Sequence, residues 1–227
     1  MNNKQIKIVD YYDKLAPTYD DNRFNNTYGR FIDTEERCVL DRLLTRQEDK
    51  VLEIACGTGR LLNYAGYGID ASEKMLAIAR RKFSDKDLRQ SLGQRTPFAD
   101  AEFDTIYSFH LMMHLKREEI SNIIREVHRI LKPGGRFIFD IPSSHRRKLF
   151  GHTRRDDWHG NTALRPADVT RLSRGLFSRV STTGILFLPV HRLPASWRKS
   201  MVRFDLAMAS GPMKVLSSYL IFELAKI

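Results

Sequence analysis

The chain has 227 residues, 42% of them hydrophobic, which suits one well-buried domain and argues against intrinsic disorder. Two cysteines with no CxxC or Cys/His cluster argue against a disulfide framework or structural zinc; with no signal-peptide core and no apolar run long enough to span a bilayer, a cytoplasmic protein is expected. The net charge is +11, and residues 141–200 concentrate it, with twelve Lys/Arg against three Asp/Glu; this suits an anionic partner (nucleic acid, anionic lipid or an acidic small molecule) or a solvated surface.

In chain order, Ile6–Leu44 is mostly helical in pattern and rich in tyrosine. Apolar runs bounded by turn signals predict strands at Lys50–Ala55, Tyr67–Asp70, Phe103–Phe109 and Gly135–Ile141. Two more follow at Gly184–Val190 and Ser218–Leu224. Between them, Ser72–Lys82 is predicted helical, with Ser72 as N-cap, and so is Lys116–Leu131. Lys132-Pro133-Gly134-Gly135 stops that second helix. Pro142–Arg165 is basic, aromatic and loop-like; Pro166–Phe177 is predicted helical. His191–Leu216 is an insertion containing a basic helical segment, Ala195–Ala209. Strand–helix alternation with nearly continuous apolar strands implies an α/β fold, a parallel sheet covered on both faces. The expected organisation is one domain: a helical lid over 1–46, a cofactor-binding core over 47–142, and an acceptor side over 143–227.

The stretch VLEIACGTGRLLNYAGYGID, residues 51–70, poses the ligand question. In open parallel sheets, ligands bind beyond the carboxyl ends of the strands. Gly57-Thr58-Gly59 is a tight turn there. A dinucleotide site would want a third glycine, where Leu62 stands, and the carboxylate of Glu53 would repel a pyrophosphate. A ligand with an ammonium group and a sulfonium ion suits that charge, and Asp70 would then accept from a ribose diol.

VLEIACGTGR resembles the first motif of the class I S-adenosylmethionine-dependent methyltransferases, and GYGIDASEKMLAIAR the segment that follows it. RTPFADAEFDTIYSFHLMMHL and IIREVHRILKPGGRFIFDIP are similar to the family's fourth- and fifth-strand stretches. YYDKLAPTYD resembles the lid helix of the ubiquinone/menaquinone-type small-molecule branch. The resemblance covers residues 8–142. It implies a Rossmann-like, mostly parallel seven-stranded sheet, S-adenosylmethionine as cofactor and S-adenosylhomocysteine as product. By position, Glu53 and the backbone of Ala55, Cys56, Gly57 and Gly59 would line the methionine part. Asp70 would hold the ribose, and Ala71 and Met75 would pack near the adenine. Tyr19 would close from the lid, and Phe109 and His110 would face the methyl group.

Two departures stand out. Asp70 follows Gly59 by only eleven residues, so the helix Arg60–Ala65 must be very short. An adenine-binding Asp expected before "LPF" is replaced by Leu92, which leaves adenine recognition to the backbone near Leu92, Gly93 and Gln94 or to the Gln94 side chain.

The resemblance implies methyl transfer to a small polar or acidic acceptor, with O-methylation favoured. A neutral hydroxyl acceptor needs a base and an anionic one does not. His110 and His114, four apart in HLMMHL, are the candidate bases, with packing or capping as the alternative role. No metal is expected. Tyr12 of the lid and His145, Arg146, Arg147, Arg154, Arg155, Trp158 and His159 of the basic loop are candidate acceptor contacts, unless the loop is a mobile surface whose charges pair locally. Two other functions stay open, an RNA methyltransferase and a non-catalytic cofactor-binding sensor or partner subunit. Trp197, Met201, Val202, Phe204 and Leu206 are expected to pack on the domain or a dimer mate; exposed beside Arg198, Lys199 and Arg203, they would suit an anionic membrane. Monomer and homodimer are both compatible with the sequence.

Overall fold

The computed structural model describes residues 3–45, 50–151 and 160–227. Its centre is a seven-stranded sheet in the order β3-β2-β1-β4-β5-β7-β6. The strands are β1 Val51–Ile54, β2 Tyr67–Asp70, β3 Asp87–Gln90, β4 Phe103–Ser108, β5 Leu131–Pro142, β6 Phe177–Ile185 and β7 Tyr219–Lys226. The first five run parallel, and β7 lies antiparallel between β5 and β6. Alternation along each strand divides the core. Leu52, Ile54, Ile106, Phe137 and Phe139 pack on one face against Ile120, Ile123 and Val127 of α5 (Arg117–Ile130). Val51, Tyr107 and Ile138 pack on the other against Val39 and Leu40 of α3 (Thr27–Leu43) and Leu76 and Ala79 of α4 (Glu73–Lys82). Ser72 caps α4 as expected, accepting from the Met75 N–H. No described helix is long and apolar enough to cross a membrane.

Several boundaries differ from the sequence expectation. The polar strand β3, DLRQ, carries almost no apolar signal and owes its place to pairing with β2 at the sheet edge. Strand β5 begins at Leu131, the last residue of the expected helix, and takes in the Lys-Pro-Gly-Gly stretch as a bulge of its own opposite Phe103–Thr105 of β4. Strand β6 lies seven residues earlier than its predicted start; Leu186 and Val190 of the predicted run leave the sheet and pack with Phe31 and Val202. The basic loop holds a helix, α6 (Ser144–Phe150), which Ser143 caps by accepting from Arg146 N. The helix after it, α7, ends at Leu172. The short segment after the glycine turn is a single 3₁₀ turn, Leu62–Tyr64, so Asp70 is reached in few residues.

The N-terminal segment expected to act as a lid forms α1 (Asn3–Leu15), α2 (Tyr19–Phe24) and α3. Polar bonds pin it over the carboxyl ends of β1 and β2. Asp13 accepts from Ser72 Oγ, Asp20 accepts from Thr58 Oγ1 at 2.6 Å, and Gln5 donates to Gln94 at 2.8 Å. The insertion helix α8 (Ala195–Ser210) lies against α3, and Arg198 donates to Thr27 Oγ1 at 2.7 Å.

Candidate active site

The strand order reverses between β1 and β4, and the turn after β1 opens there into a cavity. Ala55 and Gly57 form its edge in left-handed backbone conformation, φ +60° and +54°. Nothing lies within 4 Å of where a Cβ on Gly57 would stand, so a side chain there would meet open cavity rather than protein. Asp70, at the end of β2, accepts from Gly57 N and Ser72 N, each at 2.8 Å, which holds its carboxylate at the cavity wall. Burial lifts its pKa to about 6, and those backbone N–H groups restrain the rise.

Most residues expected to meet the cofactor converge here. Tyr19, Ala55, Gly57, Asp70, Ala71 and Met75 line the cavity, as do Leu92, Gly93 and Phe109. Three do not. Gln94 is drawn to Gln5, and Gly59, at φ +84°, turns the chain against Leu62 and Phe83. Glu53 opens instead into a smaller neighbouring cavity, which Cys56 also lines. There burial raises Glu53 to about 8, and it accepts from Tyr107 Oη at 3.2 Å. A cation bound beside it would draw the carboxyl back to its charged form. The glycine cradle, the diol acceptor and this buried acid together fit S-adenosylmethionine, the group implied by the resemblance.

A second cavity lies beyond the first. The two share Tyr12, Tyr19, His110 and His114, and the second adds Arg23, Tyr28, Met113 and Tyr219. Each of its tyrosines is pushed up by burial and eased down by a nearby arginine. Arg23 acts on Tyr12 and Tyr19, Arg146 and Arg198 on Tyr28, and Arg147 on Tyr219.

The two histidines sit at the junction in different ways. His114 is buried, with Nδ1 accepting from Gly160 N at 3.1 Å and Nε2 3.1 Å from Tyr12 Oη. His110 has φ +59° and donates its backbone N–H to Asp140 Oδ1 at 2.7 Å. Its ring lies between two acids, Nε2 2.6 Å from Glu36 Oε1 and Nδ1 3.6 Å from Asp140 Oδ2. Burial depresses His110, but Glu36 and Asp140 outweigh it and the net shift is upward. Burial also acts against the Glu36 charge, and Arg60 and His110 overcome it, holding Glu36 down to about 2. Arg60, from the glycine turn, donates to Glu36 at 2.5 Å and Asp33 at 2.6 Å. Glu36, His110 and Asp140 bring one ligand atom each within 4.8 Å of one another, a spacing a metal ion could use. The acids, however, face opposite ring nitrogens, an arrangement that suits a proton on each.

The remaining acceptor candidates divide. Tyr12 lines both cavities. His145 is exposed on α6. Arg146 donates to the carbonyls of Phe187 and Leu216, and Arg147 to that of Gly160. Arg154, Arg155, Trp158 and His159 lie outside the described residues. Sequence reasoning missed Glu36, Asp140, Tyr28 and Tyr219, which are ordinary-looking residues of α3, β5 and β7 until the fold brings them together.

Residues 52–139 match the family model described as a methyltransferase domain. The chain is 36% identical to an uncharacterised protein of Methanocaldococcus jannaschii over 61% of this chain and 53% of that one. It is 32% identical to a demethylmenaquinone methyltransferase of Chlorobaculum parvum over 56% of each. It thus spans about half the length of these curated relatives. Among solved structures, a Thermotoga maritima S-adenosylmethionine-dependent methyltransferase, described as a possible histamine N-methyltransferase, superposes with TM-score 0.74 at 18% identity, covering 96% of this chain and 99% of that one. The [4+2]-cyclase SpnF superposes with TM-score 0.68 at 18% identity, covering 96% and 95%. At such identities the likeness is one of fold.

Proposed function

We propose that this chain is a class I S-adenosylmethionine-dependent methyltransferase that methylates a small polar or acidic molecule held in the second cavity, with oxygen as the accepting atom. The observation that carries the reading is the pair of cavities meeting at Tyr12, Tyr19, His110 and His114, one suited to the cofactor and one to an acceptor. The relatives named demethylmenaquinone methyltransferases support a small-molecule acceptor. Arg23 in the second cavity, with Arg146, Arg147 and Arg198 acting on its tyrosines, supports an acidic one.

When bound, S-adenosylmethionine supplies a sulfonium methyl group that is already reactive. The chain's part is to orient and to exclude water. Gly57 leaves room for close backbone approach, Asp70 takes the ribose hydroxyls, and Glu53 meets the positive charge of the amino-acid end. Tyr12 and Tyr19 of the N-terminal helices pack edge to face at the junction, with ring centroids 6.1 Å apart.

The test is methyl transfer from tritiated S-adenosylmethionine into a cell extract separated into aqueous, organic-soluble and nuclease-sensitive fractions. Label in the aqueous or organic pool is expected. Nuclease-sensitive label would replace this reading with RNA methylation, and cofactor binding without label in any pool would favour a sensor. The fold is shared with a cyclase, so the fold by itself does not secure methyl transfer.

A further inference from the structure

We infer that neither junction histidine is a general base, and that the acceptor class is one whose oxygen is already ionised near neutral pH: a carboxylate, or an acidic phenol or enol. The inference rests on the proposed methyl transfer for its reaction, but its structural content is a count of lone pairs around the second cavity.

A general base must present an unshared lone pair to the acceptor's proton. His114 does not. Its Nδ1 accepts from the Gly160 N–H, so in the neutral ring Nε2 carries the proton and faces the Tyr12 hydroxyl. Protonating Nδ1 would set two N–H groups against each other at 3.1 Å. The ring is therefore fixed as one neutral tautomer whose single lone pair is occupied by backbone. His110 fails for the opposite reason. Glu36 from α3 and Asp140 from β5 each face one of its nitrogens, which favours the doubly protonated ring. Arg60 and Tyr219 are its other polar neighbours; Arg60 opposes that charge without reversing the net upward shift, and Tyr219 meets the ring edge-on at 5.6 Å. An imidazolium has no lone pair to offer.

No other described group replaces them. Among the described residues no carboxylate lines the second cavity. Its other titratable groups are Arg23 and four tyrosines, Tyr12, Tyr19, Tyr28 and Tyr219, all held in the neutral phenol form by burial. Asp70 faces the cofactor cavity and Glu53 the smaller one beside it. A cavity with arginine charge at its wall and, among the described residues, no base fits a nucleophile that arrives ionised. The acceptor oxygen's lone pair then forms the O–CH3 bond while the C–S bond breaks. The bonding pair stays on sulfur, and no proton changes hands. His110 and His114 are positioning residues, which fix the strand-end backbone beside the cofactor and Tyr12 of α1.

Two measurements test this, and neither needs turnover. The first is long-range proton–nitrogen NMR of the 15N-labelled full chain saturated with S-adenosylhomocysteine, from pH 5.5 to 8.5, with resonances assigned by His110→Gln and His114→Gln. The expected result is a His114 ring neutral and Nε2-protonated throughout, and a His110 ring protonated on both nitrogens at pH 7.5. A His110 ring that loses its proton below pH 7, or a His114 ring that titrates within the range, overturns the inference. Should either variant fail to fold, contacts from the Tyr12 and Tyr219 rings assign the wild-type signals. The second compares benzoate with the isosteric neutral benzamide as probes of the second cavity by calorimetry. Benzoate is expected to bind at least tenfold tighter; equal affinity, or no measurable benzoate binding, overturns the acceptor class. Because both measurements read protonation and binding, a chain that proves unable to transfer methyl groups would undo the proposed function while leaving these results standing on their own.

Discussion

The cofactor side and the acceptor side of this molecule are built by different means. The cofactor cavity has its floor in short stretches at consecutive strand ends, the β1 turn, the end of β2 with the first turn of α4, the turn after β3 and the end of β4, with backbone N–H groups fixing Asp70 and α1 and Tyr19 lying over it. The second cavity, proposed for the acceptor, takes its wall from side chains of α1, α2, α3, the β4 end and β7, segments that reach from Tyr12 to Tyr219. A site made of backbone turns tolerates little change at a few positions. A site made of converging side chains can change chemistry one residue at a time while the sheet stays as it is.

The largest expected effect sharpens that contrast on the cofactor side. Asp70→Ala removes the diol acceptor and releases the Gly57 and Ser72 N–H groups. Hydrogen bonds to a charged group are worth roughly 1.5–3 kcal/mol each, so S-adenosylhomocysteine affinity should fall on the order of 100-fold or more. Gly57→Val should do the same by adding a side chain at φ +54° that projects into the cavity. Calorimetric titration checks both; affinity within about fivefold of wild type would mean that these residues do not hold the cofactor.

The next effect lies where the two sides join. Glu36→Ala strips the buried partner from Arg60 and His110, and an uncompensated buried charge typically costs about 3–5 kcal/mol. For a chain of this length the melting temperature should drop on the order of 10 °C. Asp33 still holds Arg60, so the loss should fall in the lower part of that range. A drop under about 3 °C by scanning calorimetry would show that the ion cluster is not what ties α3 to the sheet.

These same residues show what was legible beforehand. The glycine turn, Asp70, Met75 and the strand ends are separated by few positions, so their spacing in the chain is close to their spacing in space, and they could be read directly. Polar β3 was missed because its edge position is settled by pairing with β2 and not by its own side chains. The run Leu186–Val190 looked like a strand because it is apolar, yet its apolarity serves packing on Phe31 and Val202. Glu36 and Asp140 carried no signal at all. A buried acid looks like a surface acid until its partners, Arg60 and His110, are known to be adjacent.

A smaller effect probes the acceptor side's supporting layer by pH. Glu35 on α3 accepts from Leu186 N at 2.8 Å, and Asp205 on α8 accepts from Phe187 N and Leu188 N at 2.9 and 2.6 Å. Burial, with Asp205 adding to it, pushes Glu35 up to about 9. The folded chain thus holds this proton to higher pH than the unfolded chain does. Its contribution to stability is full below the ordinary carboxylate value and is lost as pH rises through about 9. Glu35→Gln imitates the protonated form and removes the dependence. The difference in melting temperature, variant minus wild type, should widen from pH 5 to 9, and parallel curves would show that Glu35 titrates normally.

The smallest expected effect separates surface from support within α8. Val202, Asp205 and Ala209 face inward, and Met201 and Leu206 pack partly on the same cluster, while Trp197 and Phe204 stand 60% and 53% exposed. Trp197 and Phe204 therefore depart from the packing expected for this segment within one chain. An exposed aromatic that touches little contributes little, so Trp197→Ser combined with Phe204→Ser should change stability by no more than about 0.5 kcal/mol each. For a chain of this size that is on the order of 2–4 °C for the pair. A larger loss that grows with protein concentration would mean a second copy covers this face, since association stabilises by mass action. The outer face of α8 would then be an interface between copies, whereas no residue of α8 lines either cavity.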